Sequence, residues 1–173
     1  MAETTSVTIG VKTLFIEPES PWENWCMDSF MTVTTKILQL QTNRNKNELG
    51  ICIIDITPQV KQLVAETNII HGNTTMFVTG STAGISTIEF ESGLLADFQD
   101  MWKRNFTEIP YQHDRRWGDG NGYSHIRASL LGASLVVPFS NKKLSLGAWQ
   151  QIMLVDFDNR PRSRQITVQI MGD

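Results

Sequence analysis

The chain of 173 residues has only two cysteines and three histidines. Cys26 and Cys52 are too few for a disulfide framework, and neither sits in the Cys or His spacing of a zinc site, so a reducing compartment is expected. Long apolar runs are also missing. The best stretch, Leu130 to Phe139, is broken by Gly132, Ser134 and Pro138, well short of the roughly 20 apolar residues of a membrane-spanning helix. Charge of one sign is scarce: 15 Lys and Arg against 18 Asp and Glu leave −3, which fits neither a nucleic-acid footprint nor a polyacidic tail. The start lacks the basic residue and compact apolar core of a secretory signal, because Ala2 to Thr8 is polar and Glu3 stands where a positive charge belongs. There is no internal repeat and no low-complexity tract. These absences predict a cytoplasmic protein with neither a membrane nor a nucleic acid as partner.

What is present fits one globular domain: the chain is 40% apolar and 9% aromatic, and domains commonly run about 100 to 200 residues. Residues 1–30 differ from the rest, with Lys12 alone against Glu3, Glu17, Glu19, Glu23 and Asp28, and with Pro18, Pro21, Trp22 and Trp25 in no clear period. They read as an N-terminal extension to a domain over 31–173. Met31 is either the true start or the point where an extension packs back through its tryptophans.

From Met31 the pattern is mostly β. Thr32 to Leu40 and Ile51 to Ile56 read as strands. Thr57 and Pro58 then open a helix to about Asn68, with Val60, Leu63, Val64 and Thr67 on one stripe. Strands are expected at Thr75 to Thr79 and Ile85 to Phe90, joined by the small-residue loop Gly80 to Gly84. A second helix carries Leu94, Leu95, Phe98, Met101 and Trp102, with Glu91 at its start and Lys103 and Arg104 at its end. Pro110 to Gly122 reads as an irregular functional loop. Strands follow at Ser124 to Leu130, Ser134 to Pro138, Gln150 to Phe157 and Gln165 to Met171, the last alternating Ile166, Val168 and Ile170 with Thr167 and Gln169. The sum is an α+β domain of antiparallel, sandwich-like sheets with two helices on one side.

His113 and His125 bracket the Gly/Asn-rich loop and can converge on one pocket as proton relay or metal ligands, or stand as ordinary hydrogen-bonded residues. His71, before a turn, reads as a surface residue. Glu89 at a strand end is a base, acid or ligand if it faces that pocket, and a solvated edge charge if it does not. Gly80-Ser81-Thr82-Ala83-Gly84 has the composition of an anion-holding loop, or of a tight strand connection. Arg127, two residues after His125 on the expected strand, suits a phosphate or carboxylate. Arg160, Arg162 and Arg164 share a face of an extended segment and read as a solvated turn. Trp149 reads as core.

Gly80-Ser81-Thr82-Ala83, Ile88-Glu89, Gly120-Asn121, the run from Ser124 through His125, Ile126 and Arg127 to Gly132, and Leu146-Gly147-Ala148-Trp149-Gln150-Gln151 occur in an order that resembles the YjbQ family, also called UPF0047 or the secondary thiamine-phosphate synthase family. The resemblance covers about residues 32–172. It implies a compact α+β subunit assembled as a homotrimer, with a polar pocket near a subunit interface that takes a small anionic metabolite. The activity it implies joins a pyrimidine pyrophosphate to a thiazole phosphate, giving thiamine phosphate and pyrophosphate. In that chemistry Ser81, Thr82 and Arg127 suit the anion, while His113, His125 and Asn121 suit the departing charge, with Glu89 beside them. One position departs from the family's His-Thr-Thr-Ala pattern: Gly80 stands where the histidine would be. A three-histidine site therefore cannot form, and a divalent metal would be left with His113, His125 and Glu89 or be absent. Gly80 makes room for a larger ligand or bares a backbone amide for an oxyanion. The alternative to an enzyme is a non-catalytic trimeric module that binds an anion or metabolite.

Overall fold

The computed structural model describes residues 5–8, 31–43, 51–106, 109 and 111–173. Within them the elements run β1 (Thr5–Thr8), β2 (Thr32–Thr42), β3 (Cys52–Asp55), α1 (Thr57–Ala65), β4 (His71–Thr79), β5 (Ala83–Ile88), α2 (Ser92–Asn105), α3 (Gln112–Trp117), α4 (Gly122–Leu131), β6 (Ser134–Ser140), β7 (Lys143–Leu144), β8 (Gln151–Asp156) and β9 (Arg162–Gly172). Six strands form one sheet in the order β1-β2-β9-β4-β6-β7, and three form another in the order β3-β8-β5. Every pairing is antiparallel. The expected extension over 1–30, with Trp22 and Trp25, lies outside the described residues apart from β1, which pairs with β2.

The alternation of β9 places Ile166, Val168 and Ile170 in the core, fully buried, where they meet Met76 and Val78 of β4. Opposite them lie Ile152 and Leu154 of β8, Ile85 of β5, and Val60 and Val64 of α1. The other side of β8 carries Met153 and Val155, which with Phe157 just beyond the strand pack on Trp102 of α2 and Ala128 of α4. β8 is thus apolar on both faces because it is covered on both, by the large sheet on one side and by helices on the other. At the head of α1, Pro58 occupies a first-turn position where its missing N–H costs nothing. Thr57 does not cap that helix as its position suggested; its hydroxyl accepts the Ile152 N–H at 2.7 Å and ties α1 to β8. The α2 start is capped by Glu91, whose carboxylate accepts the N–H groups of Gly93 and Leu94.

The α+β class with antiparallel sheets stands, but there are four helices among the described residues, not two. The expected strand Ser124 to Leu130 is helix α4, and part of the expected loop is helix α3. Arg127, Ala128, Leu130 and Leu131 are strong helix formers. The buried positions Tyr123, Ser124, Arg127 and Ala128 fall at i, i+1, i+4 and i+5, one helical stripe; α4 lies against β5, and its Ala128 joins Met153 and Val155 of β8 in one apolar cluster. No helix among the described residues is long and apolar enough to cross a membrane.

Candidate functional site

A cavity of about 560 Å³ opens where the β4–β5 turn, α3, the first turn of α4 and the start of β9 meet. Two short contacts bring its walls together. Asp114 on α3 accepts the Tyr111 N–H at 3.1 Å with one oxygen and the Gly122 N–H at 2.7 Å with the other, joining the heads of α3 and α4. Gly122 permits that approach, since a Cβ there would fall 2.6 Å from the Tyr111 Cβ. Ser124 then pins α4 to the end of β8 by donating to the Phe157 carbonyl at 2.6 Å.

That docking sets His113 and His125 against each other, with ring centroids 4.5 Å apart and planes inclined at 39°. His113 Nδ1 lies 3.3 Å from an Asp119 oxygen and 3.6 Å from an Asp114 oxygen. Burial pushes the His125 imidazole below its ordinary value and the neighbouring His113 adds to it, against the opposing pull of Asp119, Asp158 and Asp114. His125 is therefore neutral at pH 7, with one ring nitrogen a donor and the other an acceptor. The buried Asn121 stands beside this pair; with its amide nitrogen turned to Asp119 it lies 3.2 Å from both carboxylate oxygens. For Asp114, burial works to raise the carboxyl, but the N–H groups of Gly122 and Tyr111 with His113 outweigh it and hold it below the ordinary value.

The opposite wall is a buried ion network. Arg164, 6% exposed, presents Nε and Nη2 to the two oxygens of Asp156 at 2.8 and 2.6 Å, and Nη2 also donates to the Thr82 hydroxyl at 2.6 Å. Thr82 donates in turn to Asp158 at 2.9 Å, and Arg162 Nε reaches the same Asp158 oxygen at 2.8 Å. Burial resists ionisation of Asp158, but Arg162, Thr82 and Arg164 together hold its carboxyl below the ordinary value.

Of the residues to which the sequence points, Ser81, Thr82, His113, Asn121 and His125 line the cavity. Thr82, however, spends its hydroxyl inside the ion network. Arg127 does not line it. On a strand, residues 125 and 127 would share a face; on helix α4 they point about 200° apart, and Arg127 is buried with its guanidinium on the Phe106 carbonyl and 4.6 Å from the Tyr123 ring centroid. Glu89 is exposed just beyond the end of β5 that pairs with Gln151, whereas the cavity sits at the end that pairs with Asp156. The strand separates them by roughly 20 Å. Asp119, Asp158, Arg162 and Arg164 line the cavity outside the expected set.

The metal set His113, His125 and Glu89 therefore does not assemble. Ligand atoms of His113, Asp114 and Asp119 do lie within 4.8 Å of one another, but both Asp114 oxygens already accept main-chain N–H groups. The arrangement is that of a histidine flanked by two carboxylates.

Residues 32–173 match the family described as UPF0047 protein YjbQ-like. The chain belongs to this family. A UPF0047 protein of Methanothermobacter thermautotrophicus is 37% identical over 144 residues, covering 83% of this chain and 95% of the archaeal protein. The Bacillus subtilis UPF0047 protein YugU is 34% identical, over 79% of this chain and 98% of its own. Among solved structures, a YbjQ-like protein of unknown function from Sulfolobus solfataricus superposes with a TM-score of 0.75 at 34% identity, covering 83% of this chain and 99% of that one. A YjbQ/UPF0047 protein of Clostridium acetobutylicum gives 0.68 at 33%, over 78% and 98%.

Proposed function

We propose that this UPF0047 protein is a cytoplasmic enzyme acting on small phosphate-bearing metabolites, with His125 as the group that stabilises the departing charge. The observation that carries the reading is the facing pair His113 and His125 in a cavity of about 560 Å³, with His125 held neutral. A neutral imidazole donates a hydrogen bond to departing charge through its ring N–H. His113, flanked by Asp114 and Asp119, stands against His125 and shares that role, and Asn121 orients Asp119. Arg162 and Ser81 face the same space as donors to an anion.

The specific reaction is the joining of a pyrimidine pyrophosphate to a thiazole phosphate, releasing pyrophosphate. Incubating the purified protein with both precursors tests it. Thiamine phosphate and pyrophosphate form in equal amounts, and His125→Ala lowers turnover about 100-fold or more while leaving precursor affinity within a few-fold. No product from the wild-type protein overturns the reaction; unchanged turnover in His125→Ala overturns the catalytic role. The functional unit is proposed to be a homotrimer, and light scattering at the mass of one chain would overturn that.

A second reading, a binding module without catalysis, is favoured by Gly80, which supplies no imidazole to the cavity. Tight binding of a phosphate ester by a wild-type protein that turns over neither precursor would support it.

A further inference from the structure

We propose that the cavity contains a phosphate subsite beside Gly80, built from Arg164 Nη1, the Arg162 guanidinium and the Ser81 hydroxyl. Gly80 has φ +133°, and a Cβ built on it would come within 2.8 Å of Arg164 Nη1. The missing side chain is therefore what leaves that nitrogen uncovered. Arg164 is otherwise fully engaged: the Nε and Nη2 edge of its guanidinium forms a fork on Asp156, and Nη2 also serves Thr82. Nη1 has no acceptor among the described residues, while Arg164 lines the cavity. Its neighbour Arg162 commits only Nε, to Asp158, and its side chain is about one-third exposed. Ser81 lines the same space and is exposed.

The chemistry follows from what is left over. Asp156 and Asp158 fix the two guanidinium groups in place, so the donors facing the cavity are preorganised and need no rearrangement to bind. Two planar guanidinium groups and a hydroxyl around one open corner suit an anion with several oxygens at tetrahedral angles, which is the terminal phosphate of a phosphate ester. Position 80 acts as the specificity determinant: any side chain there covers Nη1, and its backbone conformation is one that favours glycine.

The subsite rests on the reading of this cavity as the ligand site, but its test measures equilibrium binding and does not depend on turnover or on His125. Calorimetric titration of the full chain with inorganic phosphate should give saturable binding with a Kd of about 1 mM or tighter. Arg162→Gln should weaken it about tenfold or more, and Gly80→Ala should weaken it at least as much. Absence of saturable wild-type binding overturns the proposal, as does an Arg162→Gln variant of native circular dichroism that binds phosphate unchanged. Should Gly80→Ala fail to fold, Arg162→Gln decides alone. Phosphate binding intact in a His125→Ala variant that has lost turnover supports subsite and catalytic role separately; turnover by a wild-type protein that ignores phosphate overturns the subsite only.

Discussion

Asp156→Ala probes the ion network directly. Asp156 is 3% exposed and its oxygens accept from Arg164 Nη2 and Nε, from the Asp158 N–H at 3.0 Å and from the Thr42 hydroxyl at 2.6 Å. Thr42 has a second acceptor in the Arg162 carbonyl at 3.1 Å and can turn to it, so its loss is small. Arg164 loses its forked partner and keeps Asp158, 3.7 Å from Nη2; breaking a buried pair by removing one partner costs about 3–5 kcal/mol, and the remaining carboxylate holds the loss to the low end of that range. The stranded Asp158 N–H adds about 1–3 kcal/mol. Against a domain stability of about 5–15 kcal/mol, the variant should lose roughly a quarter or more of its stability in urea unfolding. Trp102, stacked edge-on at 5.0 Å from Phe157 next to Asp156, reports the transition by its fluorescence. The double variant Asp156→Leu with Arg164→Met removes both charges and should recover most of the loss. A loss below about 1 kcal/mol in Asp156→Ala, or a double variant weaker than the single one, refutes the account of this network.

Three further outcomes are expected. Arg127→Met, which removes a buried charged hydrogen bond to Phe106, should cost about 2 kcal/mol of stability and leave phosphate affinity unchanged; a selective loss of affinity would return Arg127 to the site. Leu154→Ala, at a fully buried position between the sheets, should cost about 2–5 kcal/mol in the same urea assay, and a smaller effect would contradict the packing there. Because His125 is held below its ordinary value of 6.5, the unfolded chain takes up the proton first. Stability is then complete above pH 6.5 and falls as the pH drops toward the folded value. Asp114 and Asp158, depressed below 3.8, contribute fully above pH 3.8 and lose that contribution as the pH falls from there through their lower folded values. His125→Gln should flatten the upper part of acid unfolding, near and below pH 6.5, and leave the carboxylate part; an unchanged curve refutes the burial of a neutral His125.

Most of the sheet was readable because a strand with one covered face must alternate, and β9, β4 and β6 do so. α2 was readable from Leu95, Phe98, Met101 and Trp102 with an acidic start and a basic end. α4 was not. Ser124, His125 and Ile126 read locally as strand, and the helix is decided by what comes after them and by packing against β5 and the Met153 cluster. The element type decides the site as well, since it is the period of the backbone that sets whether residues 125 and 127 share a face.

The same period holds the signal for the residues that went unseen. Extending the phase of Ile170, Val168 and Ile166 backward reaches Arg164 and then Arg162, so the core face of β9 ends in two arginines. On β8, the phase of Ile152 and Leu154 reaches Asp156. A strand that carries a charge in phase with its buried face needs an opposite charge on the strand it packs against, and here each supplies the other's partner at the end of the sandwich where the apolar core stops. That pairing of phases predicts a buried ion pair without any knowledge of the fold. The open corner of Arg164 depends on a further term, the absent side chain at position 80, which becomes visible only when the β4–β5 turn is folded over the end of β9.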